Sequence, residues 1–388
     1  MYQSLSLESK IAMTKLRIEA WRESWTRFEI YDEKTGKTRF STCDMRDYGE
    51  PELRETERVV MSWPGAVYVS FSGGKDSTVL KHIVDSMYDD VPALFVNTGL
   101  EYPEIQRFAK DVKAGKWDCF NSDVEIVRPE MRFDEVIVEY GYPLVSKEVA
   151  QIVREARIGL ERGDGSYLFR IQKLRGEYKD KDGNLSSFNK EKWGFLLEAP
   201  FSISEQCCMV MKKNPAKAYE KETGRVPILG VIAQESSLRK QWWERYGCNA
   251  FDASRPVSNP MAFWTEQDVL QYIKKYDVPY CSVYGDIVSV DGNGGQYDIP
   301  NDFYKELESV GQLPRLATTG AERTGCIFCM FGCHLEKGEN RFQRLKKTHP
   351  HQYNYCINGG EMVDGKLKPT KDGLGLGKVL DYIGVKYD

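Results

Sequence analysis

The stretch that most constrains the fold of this chain is residues 66–83, AVYVSFSGGKDSTVLKHI. A run of β-branched and aromatic residues ends at Ser72, and a helical pattern begins at Lys75. Gly73 and Gly74 lie between them, and only glycine tolerates the backbone angles of such a turn and the close approach of a ligand. Free amide groups at the start of the helix, the helix dipole and the charge of Lys75 all favour an anion. The stretch therefore predicts a strand, a tight turn and a helix that together bind phosphate.

We call residues 72–77, with the sequence SGGKDS, the glycine loop. It is not a Walker A loop, because that motif requires a glycine separated by four residues from the Gly-Lys pair and a Ser or Thr directly after the lysine. Val69 and Asp76 occupy those two positions here. The alternative is a glycine turn that contains a lysine by chance. We favour phosphate binding because the six residues lie where a predicted strand turns into a predicted helix.

A second loop is predicted at the same edge of the sheet. Residues 92–96 (PALFV) read as a strand that ends in Asn97, Thr98 and Gly99. Parallel strands joined by helices place their carboxyl ends together, and ligands bind beyond those ends. We therefore expect an α/β fold, with a parallel, Rossmann-like sheet covered by helices on both faces. A helix over residues 104–113 and a strand over residues 124–127 complete the βαβαβ unit.

The strand–loop–helix pattern recurs later in the chain. Residues 227–232 form a predicted strand, and the sequence QESSLR follows it. Glu235 and Arg239 are therefore expected to face the same crevice, although an arginine exposed to solvent on a helix is the alternative for Arg239. Thr265 and Asp268 resemble a capping box at the start of a helix over residues 265–276.

Composition bounds the class of protein. The chain has 388 residues and a net charge of −4, so nothing in its overall charge indicates nucleic-acid binding. It contains no apolar run of transmembrane length, and the first residues show no basic segment followed by an apolar core. We expect a cytoplasmic protein that does not enter a membrane.

We expect three regions along the chain. Residues 1–60 form an extension with a helix over 8–29, a hairpin around Gly36 and a second helix over 51–62. The nucleotide-binding α/β domain follows over residues 61–280, with a polar insertion at about 161–193. The remaining region, residues 281–388, carries a C-x-x-C motif, a basic helix and a terminal helix over 376–384.

Five of the ten cysteines are clustered, which in a cytosolic chain indicates metal binding or redox chemistry. Cys326 and Cys329 have the spacing of a metal-binding turn, and Cys207 and Cys208 bring the number of thiols to four. Adjacent cysteines reach one metal only from a turn or a helix start, because side chains alternate along a strand. Four thiolates suit a [4Fe–4S] cluster or zinc. Cys333 offers a further ligand, as does His334, and a cluster held by three thiolates is a third option.

Four blocks occur in one order: SGGKDS, VNTGLEYPE, CCMVMKKNP with GVIAQESSLR, and RTGCIFC. In these blocks the chain resembles the phosphoadenosine phosphosulfate (PAPS) reductase family of the PP-loop, or adenine-nucleotide α-hydrolase, superfamily. It is most similar to a bacterial and prophage branch related to the sulfur-transfer enzymes of DNA phosphorothioation. The resemblance covers about residues 60–335 and implies a fold of the HUP type.

The resemblance also implies site residues. Lys75, Asp76 and Arg239 are the expected catalytic residues, and Glu235 is expected to lie near the substrate. The metal ligands implied are Cys207, Cys208, Cys326 and Cys329, while Cys333 lies outside the family's ligand set. The nucleotide would be held by the glycine loop and by the second loop: Ser72, Gly73, Gly74, Lys75, Asp76, Ser77, Asn97, Thr98 and Gly99.

One feature departs from the family. True sulfonucleotide reductases carry a C-terminal E-C-G-x-H tail whose cysteine attacks sulfur, whereas the last cysteine here is Cys356, followed by Ile357 and Asn358. This difference weakens the expectation of plain sulfate reduction.

The reading we favour is an ATP-dependent, iron–sulfur enzyme that uses Mg²⁺, adenylylates an acceptor, releases pyrophosphate and transfers sulfur. The first alternative is a reductase of adenylylated sulfate that forms sulfite. The second is a nucleotide-binding subunit or sensor without turnover. The expected partners are an adenine nucleotide, a sulfur-donor protein such as a cysteine desulfurase, an acceptor that includes nucleic acid among its candidates, and a second copy of the chain in a homo-oligomer.

Overall fold

The computed structural model describes residues 2–388. Its internal contacts separate two compact units. The division of the chain at residues 60 and 280 stays a prediction. Unit 1 comprises the residues up to Asn97, Glu101–Arg128 and Pro215–Thr324, and unit 2 comprises Thr98–Leu100, Pro129–Asn214 and Gly325–Asp388.

Unit 1 is built around a six-stranded sheet. The strand before the glycine loop, Val67–Ser70, lies between Ala93–Val96 and Val226–Leu229 and pairs with both in parallel. Residues 67–69 are buried, as expected for a parallel strand covered on both faces. The predicted α/β class and its βαβαβ unit are therefore confirmed. Across the sheet the strands are Val124–Val127, Ala93–Val96, Val67–Ser70, Val226–Leu229, Val257–Ser258 and Asn249–Ala250, the last pair antiparallel.

Helices flank the sheet strands in the sequence of unit 1. The predicted helix after the second loop is confirmed as Pro103–Lys113, with proline in its first turn, where the missing N–H costs nothing. The α-helices of unit 1 are Leu7–Glu23, Lys75–Asp85, Pro103–Lys113, Ser237–Tyr246, Glu266–Tyr276 and Asn301–Ser309, and Asn214–Thr223 begins at the boundary of the unit.

The predicted capping box is also confirmed. The Thr265 hydroxyl accepts the Asp268 amide, and the Asp268 carboxylate accepts the Thr265 amide at 2.6 Å. Lys10, from the first helix, donates to the same carboxylate at 2.7 Å, and both side chains are at least nine-tenths buried. A buried ion pair thus joins the N-terminal helix to the start of helix Glu266–Tyr276.

The N-terminal segment differs in part from the prediction. The first helix is Leu7–Glu23 rather than residues 8–29, because Trp25 already begins a strand. The hairpin is confirmed as Trp25–Asp32 paired with Lys37–Asp44. The predicted helix over residues 51–62 is wrong: Glu57–Pro64 is a strand that pairs antiparallel with Trp25–Asp32. The β-branched pair in ERVVMSW and the available edge of the hairpin favour pairing over a helix.

A three-stranded sheet, predicted only as a loop or hairpin near residues 284–300, follows helix Glu266–Tyr276. Ile287–Val290 is its central strand, and Gln296–Tyr297 and Arg315–Thr318 pair with it antiparallel. Buried side chains such as Trp21, Phe71 and Trp264 belong to one apolar cluster within unit 1.

Unit 2 is mainly helical. The predicted helix over 147–160 is confirmed as Lys147–Arg162, and the predicted terminal helix as Leu376–Tyr382. A parallel pair of two-residue strands, Leu144–Val145 and Met330–Phe331, and a hairpin, Glu361–Val363 with Lys366–Lys368, complete the strands described in this unit. Its other α-helices are Phe133–Glu139, Leu168–Arg175, Arg341–Thr348 and Pro350–Ile357, with a 3-10 segment at Glu191–Glu198 and a π-helical turn at Met209–Lys213.

Among residues 2–388, no helix is both long enough and apolar enough to cross a membrane.

Candidate functional site

The glycine loop connects strand Val67–Ser70 to helix Lys75–Asp85, as predicted. Gly73 has a φ of +70°, and a Cβ there would lie 2.9 Å from Cγ2 of Ile105, so the position requires glycine. The helix begins after Gly74 without a side-chain cap. The N-cap residue therefore satisfies none of the first amides of the helix through a side chain of its own.

The end of the neighbouring strand in the sheet, Val226–Leu229, approaches the glycine loop closely. A Cβ on Gly230 would lie 2.9 Å from Cα of Ser77 and 3.0 Å from the carbonyl oxygen of Asp76. Any larger residue would push the strand end away from the first turn of the helix. Gly230 is therefore a second glycine that shapes this site, although the sequence analysis did not single it out.

A cavity of about 170 Å³ opens above the loop. Its lining is almost entirely polar or charged, which suits a phosphate or sulfate group rather than a nucleoside. Pockets that enclose whole small-molecule ligands usually measure about 300–1,000 Å³, so this one has room for a small anionic group but not for a whole nucleotide. The lining residues are Ser72, Gly74, Lys75, Asp76, Ser77, Gly230, Glu235, Arg239, Tyr284, Arg323 and Thr324, all of unit 1.

Lys75 is buried and points into this region. Its ammonium donates to the carbonyl oxygen of Glu322 at 2.6 Å and pairs with Glu266 at 2.9 Å. Its backbone amide donates to the hydroxyl of Tyr284 at 3.1 Å, and that hydroxyl lies 2.7 Å from Oγ1 of Thr324. Oxygen atoms of the protein therefore accept hydrogen bonds from the same donors that would bind a phosphate.

Asp76 carries an unsatisfied oxygen. Its Oδ1 is buried and makes no hydrogen bond within the described chain. Burial raises the pKa of Asp76. The charges of Lys75, Arg239 and Arg323 lower it, whereas the charge of Glu266 raises it further. Mg²⁺ is usually held by one or two carboxylates together with substrate phosphates. The orphaned oxygen beside the anion cavity fits that role.

Two arginines of the cavity lining pair with one carboxylate. Arg323 donates to Glu235 at 2.6 Å, and Arg239 pairs with the other oxygen of Glu235. Burial lowers the pKa of Arg239, and the neighbouring charge of Arg323 lowers it further. The predicted residues Glu235 and Arg239 thus lie in the same cavity as the glycine loop.

The structure brings most of the predicted nucleotide-binding residues together, but not all. Gly73 shapes the turn without lining the cavity. Asn97, at the end of its strand, is not among the lining residues. Thr98 and Gly99 belong to unit 2. The roles of the second loop stay predictions.

Sequence reasoning missed Tyr284, Arg323, Thr324 and Glu266. Arg323 and Thr324 stand directly before the C-x-x-C block, so their position beside a motif was an available signal. Glu266 is the residue after the capping threonine, which could have placed it at a helix start. Tyr284 had no signal in the sequence.

The predicted metal ligands all lie in unit 2. Cys207 and Cys208 occupy a helical turn that leads into the π-helical turn Met209–Lys213, so they leave the backbone from a helix start, as adjacent ligands require. Cys326 and Cys329 form a tight turn, in which the Cys329 amide donates to the Cys326 carbonyl at 3.1 Å.

Burial raises the pKa of Cys207, and the thiols of Cys326, Cys208 and Cys329 raise it further. The four predicted ligands are therefore electrostatic neighbours. Lys212 lowers the pKa of Cys207, but burial outweighs that effect.

Cys333 and His334 lie in the same unit. Cys333 is buried, which raises its pKa to about 11. The His334 ring lies 5.1 Å from that of Trp193, and its Nδ1 is buried without a hydrogen bond in the described chain.

The residue types of this cluster fit a thiolate-bound metal or iron–sulfur cluster, but their arrangement does not form a finished site. Within residues 2–388, no group of three or more His, Cys, Asp or Glu side chains is placed so that it could hold a metal ion. None of the ten cysteines, which all lie in the described chain, forms a disulfide.

A comparison with known proteins matches the part of the chain that contains the glycine loop and the four predicted cysteine ligands. The model of the phosphoadenosine phosphosulfate reductase domain family matches residues 66–158 and 170–330. A protein of Methanocaldococcus jannaschii, described as uncharacterized, is 24% identical over 295 residues, which cover 76% of this chain and 47% of that protein. The chain thus spans about half the length of this curated relative.

Proposed function

The chain belongs to the phosphoadenosine phosphosulfate reductase domain family, and we propose that it binds ATP, cleaves it between the α and β phosphates, and adenylylates an acceptor for sulfur transfer. The observation that carries this proposal is the anion cavity at the start of helix Lys75–Asp85. Three cationic side chains surround it: Lys75, Arg239 and Arg323.

Lys75 and the amides of the first helical turn would hold the pyrophosphate part of ATP. An oxygen of the acceptor attacks the α-phosphorus, and the bond from that phosphorus to the bridging oxygen breaks. Pyrophosphate leaves with the electron pair, so negative charge grows on the group beside Lys75. A fixed ammonium and fixed dipoles stabilise that charge without reorganisation. To bind the phosphates, the Lys75 ammonium has to break its ion pair with Glu266 and pair with the ligand instead.

Asp76 would hold Mg²⁺ through its unsatisfied oxygen. The ion, when bound, neutralises charge on the phosphate oxygens. Arg239, which also lines the cavity and lies within electrostatic reach of Asp76, would then pair with a phosphate oxygen.

The sulfur step would follow adenylylation. Hydrosulfide would attack the carbon that adenylylation has activated: the C–S bond forms, the C–O bond breaks, and AMP leaves with that oxygen and its electron pair. Where the sulfur is instead the terminal sulfur of a persulfide on a donor protein such as a cysteine desulfurase, the same bonds form and break, and a thiol reductant then cleaves the S–S bond to release the donor. We propose that Cys207, Cys208, Cys326 and Cys329 bind a [4Fe–4S] cluster, with zinc as the alternative. Their mutual proximity and soft thiolate chemistry support this assignment. Such a cluster supplies redox or sulfur chemistry when bound.

The reductase alternative receives less support from the residues at hand. Cys356 is fully buried in helix Pro350–Ile357, and burial raises its pKa. A buried, protonated thiol is a poor nucleophile. Reduction of an adenylylated sulfate would therefore need a thiol from another molecule.

The test uses the full chain with ATP, Mg²⁺ and sulfide, incubated alone or with sheared DNA or total RNA as acceptor. We expect AMP and pyrophosphate in equal amounts, and their loss in Lys75→Met. ADP and phosphate would contradict the proposal, and tight ATP binding without AMP in any mixture would favour a sensor. In parallel, adenylylated sulfate with a thiol donor should yield no sulfite, since sulfite would favour the reductase.

A further inference from the structure

A second cavity of unit 1, of about 450 Å³, is lined in part by Asp85, Asp89 and Asp118, and we call it the aspartate cavity. Asp85 and Asp89 precede strand Ala93–Val96 in the sequence, and Asp118 precedes strand Val124–Val127. The glycine loop, in contrast, follows the carboxyl end of its strand. Because these strands are parallel, their amino and carboxyl ends lie at opposite edges of the sheet. The aspartate cavity is therefore separate from the anion cavity.

Asp85 has a buried carboxylate oxygen without a partner. The side chain is only 3% exposed, and its Oδ2 accepts from the Lys81 ammonium at 2.7 Å and from the Asn121 amide at 2.9 Å. Its Oδ1 makes no hydrogen bond within the described chain. A buried acceptor without a donor costs free energy. Since Asp85 lines the aspartate cavity, an N–H group of a ligand can supply the missing hydrogen bond.

The aspartate cavity also carries an excess of negative charge. Asp85 pairs with Lys81, whereas Asp89 and Asp118 are exposed and make no ion pair within residues 2–388. Burial, and to a smaller extent the charge of Asp89, raise the pKa of Asp85 to about 6 against the opposing charge of Lys81. Burial likewise raises the pKa of Cys119 in the same lining, and the charges of Asp85 and Asp118 raise it further. The carboxylates are thus electrostatic neighbours, and two of them lack a counter-charge.

The direction of helix Lys75–Asp85 adds to this preference for a cation. Asp85 is the last residue of the helix, so the aspartate cavity lies at its C-terminal end. The C-terminal end of a helix carries a partial negative charge, and its N-terminal end carries a partial positive charge. The helix that begins at the anion cavity therefore favours a cation where it ends.

The cation that suits this cavity is organic rather than a single metal ion. In the part of the chain that the structure describes, no three His, Cys, Asp or Glu side chains are placed to hold one metal ion. The volume of the cavity lies within the range of about 300–1,000 Å³ that is usual for small-molecule sites. Trp117 and Phe120 add apolar surface to its lining. The ammonium of Lys116 lies 5.0 Å from the centre of the Trp117 ring, which shows that this indole accepts an ammonium beside it.

We propose that the aspartate cavity binds a small organic cation that has two ammonium groups joined by a short alkyl chain. One ammonium donates to Oδ1 of Asp85, and the other pairs with the exposed carboxylates of Asp89 and Asp118. The methylene groups contact the aromatic side chains of the lining. The two charges of such a ligand balance the two carboxylates that lack a counter-charge. This inference concerns another part of unit 1 than the proposed function and does not depend on it.

The experiment is calorimetric titration of the full chain with 1,4-diaminobutane at low salt, because salt screens attraction between exposed charges. We expect saturable binding at one site per chain. n-Butylamine, which has the same alkyl chain and one ammonium, should bind about 3- to 20-fold more weakly, since it lacks two exposed ion pairs. In the double variant Asp89→Asn/Asp118→Asn the diamine should lose the same factor, and its advantage over n-butylamine should disappear.

Asp85→Asn should weaken the binding of both amines about 10- to 100-fold, because each loses a hydrogen bond to a charged acceptor. This substitution leaves the buried Lys81 without its carboxylate, so thermal unfolding of the variant is measured first; if it does not fold, the double variant decides alone.

Asp123→Asn is the matched control, since Asp123 is exposed, follows directly after Ser122 of the lining and does not itself line the cavity. Its Kd for 1,4-diaminobutane should equal that of the unmodified chain. Three results would overturn the proposal: no saturable binding of the diamine, equal affinity of the unmodified chain for the two amines, or an equal loss of affinity in Asp123→Asn and the double variant.

Discussion

Replacing Lys75 by methionine removes the ammonium group and keeps most of the apolar stem. In the structure the Lys75 side chain is only 7% exposed, and its ammonium has two oxygen partners, Glu266 and the Glu322 carbonyl. Glu266 is 55% exposed and can turn to water, so no charge is left buried, and the main cost is the hydrogen bond that the Glu322 carbonyl loses, about 1–3 kcal/mol of folding free energy. The variant should therefore fold.

The loss on binding is a separate effect. A hydrogen bond that involves a charged group contributes about 1.5–3 kcal/mol, and each 1.4 kcal/mol is a factor of ten. We expect Kd for pyrophosphate to rise about 10- to 100-fold in Lys75→Met. The rate of AMP formation at saturating ATP should fall by a further factor of about 10² to 10³, because the charge that develops on pyrophosphate loses its stabilising donor.

Calorimetry with pyrophosphate measures the first effect, and single-turnover formation of labelled AMP measures the second. Lys240→Met serves as the control for loss of one positive charge, because Lys240 is exposed, pairs with Glu244 at 3.9 Å and is not among the residues that line the cavity. If folded Lys75→Met binds pyrophosphate as tightly as the unmodified chain, Lys75 does not contact the ligand and the assignment of the glycine loop is wrong.

Three further predictions concern other parts of the molecule. Asp76→Asn should abolish the Mg²⁺ dependence of ATP binding; an unchanged titration with Mg²⁺ would place the ion elsewhere. Cys329→Ser should lower the iron and sulfide content of anaerobically purified protein, whereas Cys119→Ser should not; zinc without iron in the unmodified protein would refute the cluster. Arg39 holds the pKa of Glu57 at about 2, below its ordinary 4.5, so this pair stabilises the fold above pH 4.5 and its contribution is lost as the pH falls towards 2. Urea unfolding of Glu57→Gln should show a deficit at pH 7 that shrinks below pH 4.5, and a deficit independent of pH would contradict this reasoning.

The sheet and the helices near the glycine loop could be predicted because local pattern and tertiary position agree there. The buried strand before Ser72 is apolar on both faces, and glycine at positive φ is required at Gly73. The capping box at Thr265 was readable for the same reason, since both of its hydrogen bonds join residues three apart in sequence.

The N-terminal errors arose where a partner strand decides the structure. Glu57–Pro64 is mostly exposed, and its strand conformation depends on hydrogen bonds to Trp25–Asp32. Periodicity in one segment carries no information about such a partner. Trp25 likewise continues the apolar spacing of the first helix, yet it starts a strand in which it is buried.

The site was predictable in part for a related reason. The glycine loop and the Glu235–Arg239 segment follow strands of one sheet, so topology places them together. Tyr284, Glu266 and Arg323 reach the cavity from elements distant in sequence. Only the tertiary fold brings the Tyr284 hydroxyl to 3.1 Å from the Lys75 amide.

The buried pair of Lys10 with Asp268 bears on how this protein can be shortened. The family match begins at residue 66 and suggests a compact piece that starts there. Such a piece would lose the cation of the Asp268 carboxylate, which caps the helix that bears Glu266, and would uncover the apolar cluster to which Ile18 and Trp21 of the N-terminal helix belong. Burying one large apolar side chain contributes about 1.5–3 kcal/mol, so losing several is a large share of the stability of an ordinary domain. The smallest fragment that folds and keeps an intact cavity therefore includes the N-terminal helix.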